Sequence, residues 1–276
     1  MSATRARKKK GTIQTDFYGL VELLAKMYPQ EDIFVCELLQ NAHESILERK
    51  TLEKGSVAGS ISIIADRATK TISFRDNGAG MTGQEIVDYL STIDRFGTEE
   101  LHQHLQEKNR LHVQKLIGQF GISILSAFTV AKRLVVETRS VDEDKNGLRW
   151  TFSPPSYDLE FIKKKEPGTT VTLYLKQEYL EMTNLLTLKE AVRKYADFLP
   201  FPIYVNGRRP VNTIQAPWHR SYESEVERRN AYLVWVSDRF SDVPLEVIPM
   251  EMEVPHPVKG VLYIRTVIFH LSIWRG

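Results

Sequence analysis

Apolar residues recur at helical spacing in two early stretches. Phe17, Leu20, Val21, Leu24 and Met27 mark one face of a helix over 16–28, with Asp16 placed to cap it and Pro29 to end it. Val35, Leu38, Leu39, Ala42 and Ile46 mark a second helix from about Glu31, uninterrupted by Gly or Pro. After a loop at Gly55–Gly59 the period changes to two. Ser60–Ala65 and Thr71–Arg75 read as adjacent strands. Gln84–Leu90 reads as a short helix, and from Thr92 to Ile117 the pattern is polar and weakly periodic, with Gly97 and Gly118 near its margins. Further strands are expected at Arg133–Thr138, Leu148–Phe152 and Thr169–Leu175. A helix at Leu188–Leu199, a strand at Phe201–Val205 and the turn Asn206-Gly207 follow. The chain becomes loop-like near Val211–Pro217, and beyond it Tyr232–Val236 and Val258–Phe269 are strand-like.

Composition narrows the class. The 276 residues are 42% hydrophobic and 26% charged, enough for one large or two ordinary domains with a sizeable core. No apolar run has membrane-spanning length and no signal peptide is visible, so a cytoplasmic protein that does not engage the membrane is expected. The single cysteine, Cys36, agrees and reads as inert helix core. The formal charge of +2 is uneven: Arg5, Arg7, Lys8, Lys9 and Lys10 crowd the start, and the rest is slightly acidic. Residues 1–15 are therefore expected to be a flexible basic tail, solvated unless an acidic partner or nucleic acid takes it. A near-neutral body lacks the broad basic surface of a dedicated DNA binder, so nucleic acid is not the expected partner.

The candidate chemistry starts on the second helix. Glu37 and Asn41 are one turn apart and project side by side, which suits a general base next to an oxygen donor for Mg²⁺. A pair of this kind on an exposed face is ordinarily just solvated. Asp76 ends the second strand and opens Asp76-Asn77-Gly78-Ala79-Gly80-Met81. A carboxylate there can accept from an exocyclic amine while the glycines let backbone turn close to a flat ring, although Asn77-Gly78 is also an ordinary hairpin signal. Gly118-Gln119-Phe120-Gly121-Ile122-Ser123 leads into an apolar run, and amides at such a helix start suit phosphate. No Gly-x-x-x-x-Gly-Lys-Ser/Thr occurs, which excludes a P-loop enzyme. His102 and His104 lack ligand-spaced partners and read as exposed histidines.

These three boxes, in this order, resemble the N-box and two glycine boxes of the GHKL ATPases, the superfamily of gyrase, histidine kinases, mismatch-repair ATPases and the 90-kDa heat-shock chaperones. Gly118-Gln119-Phe120-Gly121 followed by Ser126-Ala127-Phe128-Thr129-Val130-Ala131 is closest to the HtpG-like chaperones, and Thr92–Thr98 resembles their lid opening. Ser123 and Ile124 depart from that pattern, where a glycine and an aromatic are usual. Gly168-Thr169 resembles the last nucleotide-contacting element. The resemblance covers about the first 215 residues well and the remainder partly.

The resemblance implies a two-layer α/β (α+β) sandwich of Bergerat type, with a mixed, largely antiparallel sheet, over 16–215. Residues 216–276 would then begin a truncated middle domain. It implies that ATP or ADP binds with Mg²⁺: Asp76 on the adenine amino group, Gly78, Gly80 and Met81 around the base, and Thr169 through water. Asn41 would bind the metal and Glu37 would activate water. Gly118, Gln119, Phe120, Gly121, Ile122 and Ser123 would hold the phosphates under a lid carrying Arg95. Glu44 takes the place of an acidic residue of the helix box. A molecular chaperone acting on unfolded client proteins is the function implied, homodimeric at full length. The part that supplies an arginine to the γ-phosphate and the dimerisation domain are absent from this chain, so a monomer with feeble turnover is expected. A DNA-acting relative of gyrase or mismatch-repair type shares the boxes and is the alternative, together with a homologue that binds nucleotide without hydrolysis.

Overall fold

The computed structural model describes residues 9–12, 17–27, 30–55, 57–86, 126–142, 146–253 and 257–265. The chain divides into two compact units, Met1–Asn212 and Thr213–Gly276.

The first unit is built on an eight-stranded sheet. In chain order its strands are β1 (Lys9–Thr12), β2 (Ile61–Asp66), β3 (Thr71–Asp76), β4 (Ala131–Arg139), β5 (Asn146–Ser153), β6 (Ser156–Lys163), β7 (Gly168–Leu175) and β8 (Ile203–Val205). They lie in the order β1-β6-β5-β4-β7-β3-β2-β8. All neighbours are antiparallel except β2 and β8, so the sheet is mixed and largely antiparallel, as expected.

The period of two sorts the sheet into an apolar and a polar face. Ile61, Ile63, Ile72, Phe74, Leu134, Val136, Leu148, Phe152 and Leu173 are buried on one side. On the other, Arg149 bridges Glu137 and Glu160, the Ser73 and Thr172 hydroxyls meet at 2.9 Å, and Arg133 lies over the Tyr174 ring. Helices α1 (Phe17–Met27), α2 (Ile33–Leu52) and α3 (Leu185–Ala196) belong to the core layer. α2 buries Phe34, Val35, Leu38, Leu39, Ala42 and Ile46, the stripe read from the sequence. Phe17 of α1 meets Phe128 and Phe152 edge-to-face, at 5.0 and 5.1 Å between ring centres. α3 is tied to the start of α2 by Lys194 and Tyr195, both donating to Asp32.

Several expectations need correcting. β6 falls where no strand was expected, because burial along it does not follow the alternation: Phe161, on the same face as Leu159 and Leu148, is 54% exposed. On the outward face Ile162 interrupts the polar positions Asp158 and Glu160. The presence of β6 gives the arm a partner. Lys9–Thr12 pairs with Leu159–Ser156, so within the stretch expected to be a flexible tail these four residues form an edge strand. α3 begins at Leu185 rather than Leu188, because Asn184 caps it by accepting from the Leu186 amide.

Among the described residues the second unit has one α-helix, α4 (Glu225–Phe240), a 3-10 turn at Pro217–His219, and an antiparallel hairpin of β9 (Pro244–Met252) and β10 (Val258–Arg265). Tyr232–Val236, expected as a strand, lies inside α4. Its β-branched and aromatic residues mimic a strand, but Tyr232 and Val236 are one helical turn apart and both are buried with Val247. Ser224 starts the helix by accepting from the Glu227 amide.

Candidate functional site

α2 presents Asn41, Glu44, Ser45 and Glu48 along one side, facing the loop after β3. Between them lies a cavity of about 460 Å³. Its polar lining is Asn41, Glu44, Glu48 and Glu85 with the buried Asp76 and Thr169, and its apolar lining includes Leu38, Phe74, Met81, Ile86, Val136, Trp150 and Val171. A flat apolar slot with a few convergent polar groups is the usual form of a small-molecule site.

Asp76 is 8% exposed and contributes its carboxylate to that cavity. Oδ1 accepts from the Gly78 amide at 2.8 Å and the Thr169 amide at 3.2 Å. Burial pushes its pKa up to about 6, against the two amides and the Lys164 charge, which favour the anion. The loop is rigid rather than a free hairpin turn. The Asn77 side chain accepts from the Ser60 amide and donates to the Ala58 carbonyl, both at 2.8 Å, and Arg49 donates to the Asn77 carbonyl.

The two glycines serve different approaches. A Cβ at Gly78 would strike Ser45 of α2, so this glycine lets the loop press on the helix. Gly80 lines the cavity, has φ +72°, and leaves no room for a Cβ against the Arg139 carbonyl oxygen. Backbone bonds finish the clamp: the Ala79 amide donates to the Ser45 carbonyl at 2.9 Å, and the Val141 amide to the Ala79 carbonyl at 2.8 Å. Met81 is held by its amide, which donates to the Thr138 hydroxyl at 2.8 Å. Thr138 in turn sits 3.0 Å from the Thr169 hydroxyl. Thr82 and Glu85 close the short helical turn at 83–86 as a capping box, the Thr82 amide donating to Glu85 Oε2 at 2.6 Å.

Glu37 is half-buried one turn before Asn41 and is not among the residues lining the cavity. Burial, and next the Glu44 carboxylate, raise its pKa above the ordinary carboxylate value. That is the direction a general base needs. The structure thus brings together Asn41, Asp76, Gly80, Met81 and Thr169 around one cavity, with Gly78 behind it and Glu37 beside it. Arg95, Gly118, Gln119, Phe120, Gly121, Ile122 and Ser123 lie outside the described residues, as does the segment read as a lid. Among the described residues no cluster of three or more His, Cys, Asp or Glu forms a ready metal site. No helix among them is long and apolar enough to cross a membrane.

The model of the histidine kinase-, DNA gyrase B- and HSP90-like ATPases matches residues 32–187. The stretch is more than half of the chain and contains every described residue of the cavity. The chain belongs to this ATPase family. Within it, the chain is similar to the chaperone protein HtpG of Chlorobium luteolum, 32% identical over 255 residues, which is 89% of this chain and 40% of that protein. The HtpG of Geobacter sulfurreducens is 31% identical over 287 residues, 91% of this chain and 44% of its own length. The mitochondrial 75-kDa heat shock protein of Bos taurus is 29% identical over 272 residues, 96% and 38% respectively. The chain spans about 40% of the length of the curated relatives it matches.

Membership makes the first unit, which holds the cavity, a nucleotide-binding ATPase domain. Residues that the sequence reading did not single out complete the site. Val136 and Trp150 line the cavity from β4 and β5, and Thr138, on the same side of β4, backs Met81 and Thr169; the period of two marks their side of the sheet. The period of two separates Thr138 from the outward-facing threonines at 151, 170 and 172, but its meeting with Thr169 depends on β4 lying beside β7. Ser45 stood one residue after Glu44, and only the packing of the loop on α2 reveals its contact with Gly78.

Proposed function

We propose that this chain binds ATP together with Mg²⁺ and hydrolyses it, and that the hydrolysis drives a molecular chaperone of the HtpG kind. The observation that carries the reading is Asp76: a carboxylate sunk at the base of an apolar slot, with both amide donors on a single oxygen. An ionised carboxylate only accepts, so it matches the exocyclic amine of adenine and opposes the carbonyl of guanine at the same place. Leu38, Phe74, Met81 and Val171 supply apolar surface for the ring, and Gly80 allows backbone to come close. Thr169 reaches the same edge of the base, directly or through water.

Asn41, on the cavity rim, would offer its amide oxygen to the metal. One protein oxygen suits Mg²⁺, which keeps several waters and takes phosphate oxygens for the rest of its shell. Held by Asn41, such an ion would supply neutralisation of the phosphate charge. Glu37 would orient or deprotonate the attacking water, and its raised pKa suits a base. On sequence grounds the phosphates fall to the amides of Gly118, Gln119, Phe120, Gly121, Ile122 and Ser123, with Arg95 the basic candidate for phosphate contact. Unfolded or partly folded proteins as clients, a homodimer in the complete form, and a cytoplasmic location belong to the same reading. Its support is the similarity to the HtpG relatives and the composition.

Calorimetric titration of Mg-ATP, Mg-ADP and Mg-GTP tests it. Adenine nucleotides are expected to bind the parent chain, GTP at least tenfold more weakly, and Asp76→Asn to bind none. Glu37→Ala is expected to keep ATP affinity and lose turnover. Equal affinity of Asp76→Asn and the parent would sink the assignment.

A further inference from the structure

Thr138 stands behind the cavity wall, where its hydroxyl meets two residues that line the cavity, Met81 and Thr169. Thr138 is 0% exposed. Its Oγ1 accepts from the Met81 amide at 2.8 Å, lies 3.0 Å from Thr169 Oγ1, and is 3.4 Å from the Gly168 carbonyl oxygen. A hydroxyl owns a single proton. Thr138 must therefore choose between Thr169 and Gly168 as its acceptor. Hydroxyl bonds fall between about 2.5 and 3.0 Å, so the spacing favours Thr169 as the acceptor over the carbonyl, which stands at the margin; the 3.0 Å contact by itself allows either hydroxyl to donate.

The choice has a consequence one residue further on. Thr169 is 8% exposed, lines the cavity, and sends its amide to Asp76 Oδ1 at 3.2 Å. With its oxygen already receiving the Thr138 proton, its own proton is left for the cavity. Asp76 and Thr169 then stand side by side as acceptor and donor. That order matches an amino group next to an unprotonated ring nitrogen. The edge of a 6-oxopurine presents the reverse order, a carbonyl next to a ring N–H, and fails at both places.

We propose that Thr138 is a positioning residue for base recognition: anchored by the Met81 amide, it gives its proton to Thr169 and so fixes the Thr169 hydroxyl as a donor to the ring nitrogen beside the amine that Asp76 reads. The proposal rests on the reading of Asp76 given above. A water between Thr169 and the ring keeps the same polarity, since it accepts from one and donates to the other. Thr138 does not touch the base; it decides which way Thr169 points.

The test compares affinity for Mg-ADP with that for Mg-1-deaza-ADP, in which the ring nitrogen is replaced by CH. The full chain is used, and the variants are Thr138→Val, Thr138→Ser and Thr169→Val. The parent is expected to favour ADP by about tenfold, the worth of one hydrogen bond in such a site. Thr138→Val, with the same shape and no hydroxyl, is expected to bring that ratio close to one. Thr138→Ser is expected to restore it, and Thr169→Val to lose it. A Thr138→Val chain that binds both nucleotides more weakly but keeps the ratio would overturn the proposal and leave Thr138 a buttress for Met81. Should Thr138→Val not fold, an undiminished ratio in Thr169→Val would overturn it instead. A parent chain that binds neither nucleotide fails earlier, at the Asp76 reading itself, and is told apart by that.

Discussion

At Asp76 the needs of binding and of stability oppose each other. Burial lifts its carboxyl from the ordinary 3.8 to about 6. Because the folded value lies above the unfolded one, the folded chain keeps a proton between about pH 4 and 6 that the unfolded chain has released. The contribution of this group to stability is therefore present below pH 4, falls as pH rises through that window, and stays lost at neutral pH. Two pH units correspond to about 3 kcal/mol. Asp76→Asn keeps an acceptor for the Gly78 and Thr169 amides without the buried charge. It is expected to melt above the parent at pH 7.5 and level with it near pH 4, by scanning calorimetry at both values. A constant difference would assign the gain to something other than the charge. Nucleotide affinity runs the other way. An amine donor selects the ionised carboxylate, so ADP binding is expected to weaken about tenfold per unit as pH drops below 6, with proton release seen as a buffer-dependent heat. Binding unchanged from pH 7.5 to 5 would remove Asp76 from the contact.

Among the elements, the loop between β3 and the helical turn at 83–86 is where local and tertiary demands coincide. Gly55 and Gly80 both have positive φ, +82° and +72°, but only Gly80 is closed in, by the Arg139 carbonyl oxygen. Ala at Gly55 meets nothing within 4 Å and should cost about 1 kcal/mol, the left-handed penalty alone. Ala at Gly80 adds a clash with backbone, for about 3 kcal/mol in all, and should also weaken nucleotide binding. Urea midpoints of the two variants measure this, and equal losses would refute the close approach. Much of this layer was legible beforehand. α2, β2, β3, β4, β5 and β7 follow from periods of 3.6 and 2 that their own residues carry. β6, β1 and α4 were not legible in the same way. β1 has no alternation of its own and exists because β6 offers it an edge. In α4 the run Tyr232–Val236 favours a strand locally, and the signal that decides otherwise, Ser224 with Glu227, stands a full turn and more upstream.

In the whole molecule, the boxes around Glu37, Asn41, Asp76 and Gly80 were visible as motifs because turn chemistry and helical spacing are local properties. The sequence alone determined the order of those boxes, the apolar stripes that bury α2 on the sheet, and the family to which they point. It also determined that Asp76 would end a strand next to glycines. Only the tertiary structure decided that Asp76 is buried deeply enough to raise its pKa, that Gly78 yields to Ser45 and Gly80 to Arg139, and that Thr138 meets Thr169. Those facts depend on β3, β4 and β7 lying side by side, although paired residues are separated by up to 103 positions in the chain. Periodicity tells a residue which side of its strand it faces. Which groups wait for it on that side is set by strand order, and strand order is a balance of non-local burial against chain entropy that no short stretch encodes.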